Sequence, residues 1–354
     1  MRVIDCQGLA GSFTLGCVVA GFELVGVRAL PGGFGVDNLE TNRDVLGNGW
    51  EVQIGPEEEW EPARVELVAG NPPCSGFSGL NTSKGAMTRG PDSKINDCMW
   101  SFAKYAARCQ PQVAVFESVQ AAGKDRVRGG RQLMRDMWNY VCDQSGVRYG
   151  LTHLFMSGAA VGAAQMRHRY FWVLSAVPFG VELPELQFIA TYAHAIGDLV
   201  GLDNQWESQE LAVVGGSWLV GAQHAHGIPK LNTDATVDAH VWPTEQAAAL
   251  RYQVLYPHWR PGETLKEAAQ RYQKRYGRAP RGWPEKNWRN IIAPDHWSIN
   301  GIVRVRWDRP GYVITGAGGW SFVHPEENRL LSLRECARLM GFPDEWTWTA
   351  ARSV

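Results

Sequence analysis

The sequence predicts an α/β protein: a doubly wound, mostly parallel sheet with a smaller domain inserted late in the chain. Three observations support this. The chain opens with an apolar strand over Arg2 to Asp5, a glycine-containing turn over Gly8 to Ser12, a helix over Phe13 to Ala20 and a second strand over Leu24 to Val27. A strand–turn–helix–strand opening of this kind begins a Rossmann-like nucleotide-binding sheet. A later run, Val65 to Ala69, is apolar except for Glu66, as suits a short strand buried on both faces. Beyond it the strand and helix signals alternate. Met99, Phe102, Ala103 and Ala106 recur at helical spacing, Gln110-Pro111 closes that helix, and a strand follows at Val113 to Phe116. A helix over Arg131 to Gln144 and a strand over Val147 to Phe155 complete the pattern.

Size and composition narrow the function classes. With 354 residues, 45% of them hydrophobic, the chain buries a full core and has room for one large domain and one smaller one. It contains neither an apolar run of about 18 residues nor a signal-peptide pattern, so a cytoplasmic protein with no membrane partner is expected. Seven cysteines without a CxxC pair point to reduced thiols and no metal centre. His224 and His226 have no carboxylate or cysteine beside them and read as solvated. The net charge is −1, yet residues 250–310 hold 13 Lys and Arg against 5 Asp and Glu. A positive field confined to one segment fits a lobe that meets phosphates.

One cysteine stands where chemistry is expected. Gly70 and Pro72-Pro73 stop the strand at Val65 to Ala69, because proline cannot continue a central ladder. Cys74 then leaves the sheet on a stiffened backbone at the carboxyl edge, where open α/β sheets bind ligands. Asn71-Pro72-Pro73-Cys74-Ser75-Gly76-Phe77-Ser78 resembles the nucleophile motif of DNA cytosine-5 methyltransferases, usually Gly-Pro-Pro-Cys-Gln-Gly-Phe-Ser. Four further segments in the family's order resemble its other motifs. Asp5 to Gly16 is similar to the S-adenosylmethionine motif, with Gln7 at the aromatic position and Leu9 replacing a glycine. Glu117-Ser118-Val119 resembles Glu-Asn-Val, and Gln165-Met166-Arg167-His168-Arg169 resembles Gln-x-Arg-x-Arg. The longest match, Pro310 to Gly316 and His324 to Asp344, contains a packing helix over Leu333 to Met340 stopped by Gly-Phe-Pro.

The resemblance implies that the chain methylates carbon 5 of cytosine in double-stranded DNA, with S-adenosylmethionine as cofactor and no metal. It implies residues 1–182 as the first part of the catalytic domain, 183–309 as the target-recognition domain and 310–354 as a return segment. Cys74 is then the nucleophile, Glu117 the acid at ring nitrogen 3, and Arg169 the clamp on the base. Arg167 lies nearer a structural or phosphate role. Asp5, Gln7, Gly8, Gly11, Phe13, Asn71 and Pro72 are the expected cofactor contacts. Ser78, Gln165, Arg275, Arg278, Arg281 and Lys286 are the expected DNA contacts.

The chemistry explains the pairing of a thiol with an acid. Carbon 5 of cytosine is a weak nucleophile until a thiolate adds to carbon 6. A proton on nitrogen 3 makes carbon 6 electrophilic, which calls for a carboxyl group with a raised pKa. Arginines two apart on an extended strand share a face, which places Arg167 and Arg169 together. Thr264 to Tyr276 reads as a basic amphipathic helix ending at Gly277, and Arg278 to Asn290 as a loop.

Three departures bear on the cofactor and the assembly. The second strand ends Val27-Arg28-Ala29 where the family supplies a carboxylate for the ribose, and Asp37 or Glu40 would have to reach in from the next segment. The family's last segment, with its Gly-Asn pair, does not occur before Val354. Three expectations follow: the sequence is shortened, a second chain supplies that piece, or a divergent member, otherwise a monomer, works without it. Two alternatives to plain methylation also stay open: a related enzyme with a different donor or donated group, and a DNA-binding homologue without catalysis. A phage-type methylase of a bacterial or phage-infected cell is the expected source.

Overall fold

The computed structural model describes residues 1–8, 11–33, 35–74, 76–77, 90–124, 129–178, 180, 182, 185–186, 188–201, 255–281, 283, 285–293, 302–314, 322–328, 331 and 333–347. In chain order the first half runs β1 (Arg2–Cys6), α1 (Ser12–Val19), β2 (Glu23–Ala29), α2 (Val36–Thr41), α3 (Arg43–Leu46), β3 (Glu51–Ile54), β4 (Leu67–Gly70), α4 (Asp97–Cys109), β5 (Val113–Val119), α5 (Gly130–Ser145), β6 (Gly150–Ser157) and β7 (His168–Ser175). The second half adds α6 (Tyr192–Ile196), α7 (Leu265–Tyr276), α8 (Glu285–Ile292), β8 (Val303–Arg304), β9 (Phe322–Val323) and α9 (Leu333–Leu339).

Seven strands form one sheet in the order β3-β2-β1-β4-β5-β7-β6. Pairing is parallel from β3 through β5, and β7 runs antiparallel to both β5 and β6. The strand order reverses beside β1, which creates a crevice at the carboxyl ends of β1 and β4. Strand alternation sends successive side chains to opposite faces. Val3, Val27, Leu67 and Ala69 pack with Leu15, Leu39, Phe342 and Trp346 on one face. Ile4, Cys6 and Val68 pack with Phe102, Phe116, Met134 and Trp172 on the other. Both faces are covered, which accounts for the near-continuous apolar runs in β1 and β4.

Arg28 is a buried cation at the end of β2. Its Nε donates to the Tyr105 hydroxyl at 3.1 Å and its Nη2 to Glu51 Oε1 at 2.8 Å, with the Glu61 carbonyl at 3.4 Å. A desolvated charge of this kind persists only with partners on most of its donors.

A second apolar cluster lies outside the sheet. Leu255, Tyr256, Trp259, Leu265, Ala268, Trp283, Trp288 and Ile291 bury one another together with Ile302 and Val323. Thr264 caps α7 in a reciprocal box with Glu267, and Gly277 ends it at φ 69°. The loop expected over Arg278 to Asn290 is only partly a loop, because Glu285–Ile292 is helical. Trp288 and Ile291 lie three apart and bury against α7, so packing settles a helix that proline and glycine nearby had obscured. Buried Arg304 joins this cluster to the return segment by donating to the carbonyls of Tyr256, Trp259 and His324. Tyr192, Ile196 and Leu199 pack instead with Ala164, Leu339 and Cys336.

Gly70 leaves no room for a larger residue where β4 approaches the site. A Cβ there would lie 2.6 Å from the Cys6 carbonyl oxygen and 2.8 Å from the Phe102 ring. Gly70→Ala is expected to lower unfolding free energy by about 1–3 kcal/mol, measured by urea denaturation; an unchanged midpoint would contradict this packing.

Candidate active site

The site is assembled by strand register. Gly70 pairs with Phe116 across the parallel β4–β5 ladder, so the next residues, Asn71 and Glu117, emerge side by side at the carboxyl edge. The Asn71 Nδ2 donates to Glu117 Oε2 at 2.6 Å. On the other side, β5 and β7 pair antiparallel with Glu117 opposite Phe171 and Val119 opposite Arg169. Arg169 is therefore the diagonal neighbour of Glu117, within reach of a long side chain. Its Nε forms an ion pair with Glu117 Oε1. Each carboxyl oxygen thus has its own donor.

These groups line a cleft of about 230 Å³ with Ser12, Phe13, Asn71, Gln165, Arg167, Phe171, Leu339 and Met340 among its walls. Arg167 and Arg169 share its lining, as their spacing predicts. The Arg167 Nη1 donates to the Ile314 carbonyl at 3.1 Å, which ties the return segment to the start of β7. Cys74 is half-buried and stands outside the lining, yet the charges of Glu117 and Arg169 both bear on its thiol.

Burial dominates the electrostatics. It pushes the Glu117 carboxyl above its usual range, against the opposing pull of Arg169, Arg167 and the donors from Arg169 and Asn71. The Cys74 thiol is also pushed up, by burial first and by the Glu117 charge second, while the Val119 backbone, Arg169 and Ser118 favour the thiolate. A neutral Glu117 therefore eases the ionisation of Cys74. Burial, then the charge on Arg169, lowers Arg167 from the usual guanidinium range.

The residues after the glycine turn also line the cleft. Gly11 precedes α1 at φ 91°, and Ser12 and Phe13 reach the cleft, with Phe13 and Phe171 ring centroids 6.2 Å apart. Gly8 is packed on Asp5: a Cβ there would lie 2.0 Å from its Oδ2, which also accepts from the Thr14 hydroxyl. Asp5 is thus a buried structural carboxyl rather than part of the cleft lining. Gln7 sits at φ 63°, a conformation uncommon outside glycine, and its Nε2 donates to the Cys98 carbonyl at 2.9 Å. Pro72 is buried at the strand end. Asp37 and Glu40 are exposed and line no part of the cleft, and Glu40 pairs with Arg43 at 3.6 Å.

The expected DNA contacts fall into two groups. Gln165 is buried and lines the cleft, and neither of its side-chain polar atoms has a partner among the described residues. Arg275, Arg278, Arg281 and Lys286 are all exposed around the end of α7, the turn after it and the first residues of α8. Ser78 lies outside the described residues, as do His224 and His226. Sequence reasoning missed Phe171, Met156, Leu339 and Met340 as cleft walls. For Phe171 the signal was present: it stands two residues beyond Arg169 on one strand face.

The sequence pattern of the C-5 cytosine-specific DNA methylase family matches residues 1–353. The chain belongs to that family. It is 24% identical over 339 residues to rice (Oryza sativa subsp. japonica) DNA (cytosine-5)-methyltransferase 1A, a match covering 80% of this chain and 20% of the plant protein. The chain therefore spans about a fifth of the length of that relative. It is 22% identical over 290 residues to Type II methyltransferase M1.HphI of Haemophilus parahaemolyticus, covering 80% of this chain and 61% of the other. Among solved structures, an E. coli prophage protein described as a DNA modification methyltransferase superposes with a TM-score of 0.59 at 17% identity, covering 99% of this chain and 91% of that one. At that identity the likeness shows the fold. No described helix is long and apolar enough to cross a membrane.

Asp5 gives the turn a pH signature. Burial pushes its carboxyl up to about 7, only partly opposed by the Thr14 hydroxyl. An unfolded Asp titrates near 4, so between about pH 4 and 7 the folded state holds a proton that the unfolded state lacks, and stability falls as pH rises through this window. Asp5→Asn is expected to remove about one proton from the slope of stability against pH between 4 and 7, measured by denaturant midpoints across that range. A slope identical to the unaltered protein's would show that Asp5 titrates normally.

Proposed function

We propose that this protein transfers a methyl group from S-adenosylmethionine to carbon 5 of a cytosine flipped out of double-stranded DNA, through a transient bond to the Cys74 sulfur. One observation carries this reading: Cys74, Glu117 and Arg169 come from three separate segments, Arg169 pairs with Glu117, and the charges of both bear on the Cys74 thiol at the carboxyl edge of the sheet. Membership of the methylase family makes cytosine the base to which such a cluster is suited.

Each residue has a role that its surroundings support. Cys74 adds its sulfur to carbon 6 of the ring, and the displaced electron pair moves toward carbon 5. Glu117, its pKa raised by burial, supplies the proton or strong hydrogen bond at nitrogen 3 that makes this addition feasible. Arg169 balances the charge and holds the exocyclic oxygen of the base. Arg167 bridges the base site to the return segment. Extruding the base costs a few kcal/mol, and the exposed cations Arg275, Arg278, Arg281 and Lys286 are placed to recover it through phosphate contact.

The donor follows from the family. Ser12 and Phe13, which line the cleft with Asn71, would hold the methyl-bearing end of S-adenosylmethionine beside the base site. When bound, that cofactor supplies an electrophilic methyl group. At its adenosine end this chain departs from the family: Gln7 is turned to the Cys98 carbonyl, and β2 ends in Arg28-Ala29 with no carboxylate. That departure supports a second reading, a modified donor or donated group. Mass spectrometry of treated DNA separates the two, a mass increase other than one methyl favouring the second.

Cys74→Ser is expected to abolish base modification and covalent capture on 5-fluorocytosine DNA while leaving DNA binding intact. Glu117→Gln is expected to slow modification by about 10²–10⁴-fold. Bound DNA with no modified base formed by the unaltered protein would refute the enzymatic reading. For the basic lobe, replacing Arg275, Arg278, Arg281 and Lys286 by alanine together is expected to reduce the slope of log affinity against log salt by about 0.9 for each phosphate that the lobe no longer neutralises. An unchanged slope in a binding titration would place the DNA elsewhere.

A further inference from the structure

The geometry points to Asn71 as a positioning residue that holds Glu117 in its resting orientation and releases it when a base enters the cleft. This inference rests on the proposed function and goes beyond it, because the motif that Asn71 opens usually begins with glycine, which has no side chain to offer.

Three observations converge. Asn71 lines the cleft and is half-buried. Its Nδ2 lies 2.6 Å from Glu117 Oε2, while Arg169 occupies Oε1. Glu117 itself is buried, so few other donors can reach it. Two N–H donors on one carboxyl group favour its carboxylate form, against the burial that raises the Glu117 pKa, because neither donor can accept a proton in return. An acid for nitrogen 3 must instead present an O–H. Arg169 cannot make room for that change, since guanidinium has donors only. The amide of Asn71 can: turning it exchanges Nδ2 for Oδ1, which accepts from a protonated Glu117 or from the amino group of the base. Either orientation leaves the carboxyl group satisfied. The charged and titratable groups facing Glu117 are Arg167 and Arg169 from the β7 side and Cys74 from the loop after β4.

The test follows exchange of the carbon-5 hydrogen of the target cytosine with solvent, on duplex DNA labelled at that position and without any methyl donor. In this reaction sulfur bonds to carbon 6 and nitrogen 3 gains a proton. Carbon 5 then takes a solvent proton and loses its labelled hydrogen, and the sulfur–carbon bond breaks as nitrogen 3 returns its proton to Glu117, so nothing is consumed. Exchange rates are measured from pH 5 to 9 for the unaltered protein, Asn71→Gly, Asn71→Asp and Glu117→Gln. With the unaltered protein the rate is expected to fall as pH rises through the ionisation of Glu117, and Glu117→Gln to remove that limb. In Asn71→Gly the limb is expected to move up by about one pH unit, the worth of one hydrogen bond to a charged group. Asn71→Asp, which replaces a donor by an acceptor, is expected to move it at least as far. A uniform loss of rate with an unmoved limb would mean a merely structural asparagine and would overturn the inference alone. No exchange by the unaltered protein while it binds the DNA would overturn this inference and the proposed function together.

Discussion

The parallel register of β4 against β5 is the constraint on which the site depends. Because Gly70 lies opposite Phe116, the chain leaving β4 passes directly beside Glu117 of β5. That alignment brings Asn71 to Glu117 and directs the proline-stiffened segment ending in Cys74 to the same edge. The antiparallel β7 then delivers Arg169 from the opposite direction, one diagonal step away. A one-residue slip in either ladder would turn Glu117 or Arg169 to the other face of the sheet. The packing of Gly70 between the Cys6 carbonyl and the Phe102 ring guards against such a slip.

The electrostatics follow from this crowding. Glu117 and Cys74 are both burdened by desolvation, and the Glu117 charge adds to the upward shift of the Cys74 thiol. In the mechanism proposed above, an acid that must be neutral and a thiol that must be ionised would both be served by one event, protonation of Glu117. Arg169 lies close enough to favour both charges when they form. The buried cation Arg28 takes no part in this balance, since Tyr105, Glu51 and the Glu61 carbonyl hold its guanidinium group.

The basic lobe has a separate core of indole and aliphatic side chains, joined to the return segment through Arg304 and the carbonyls it gathers. With Trp283, Trp288 and Tyr256 committed to that interior, the lobe presents mainly cationic side chains at its surface around α7 and α8. The indoles of Trp283 and Trp288, which composition alone leaves free to stack on bases, pack edge-on against each other with centroids 5.3 Å apart. Their burial explains why α8 is a helix: an amphipathic face with a core to cover overrides the local breaking tendency of the prolines and glycines before it.

Local signals along the chain carried the doubly wound opening, the strand that ends at Gly70, the alternation of helices and strands, and the identity of Cys74, Glu117 and Arg169 as companions. Each depends on short-range physics: strand and helix periods, the inability of proline to extend a ladder, and motif order. Their mutual distances, the bond from Asn71 to Glu117, the walls given by Leu339 and Met340, and the burial of Gln165 came only with the tertiary structure. Register between strands far apart in sequence is set by packing on both faces of the sheet, which no local window contains. The raised pKa values have the same origin, because desolvation depends on which distant side chains exclude water.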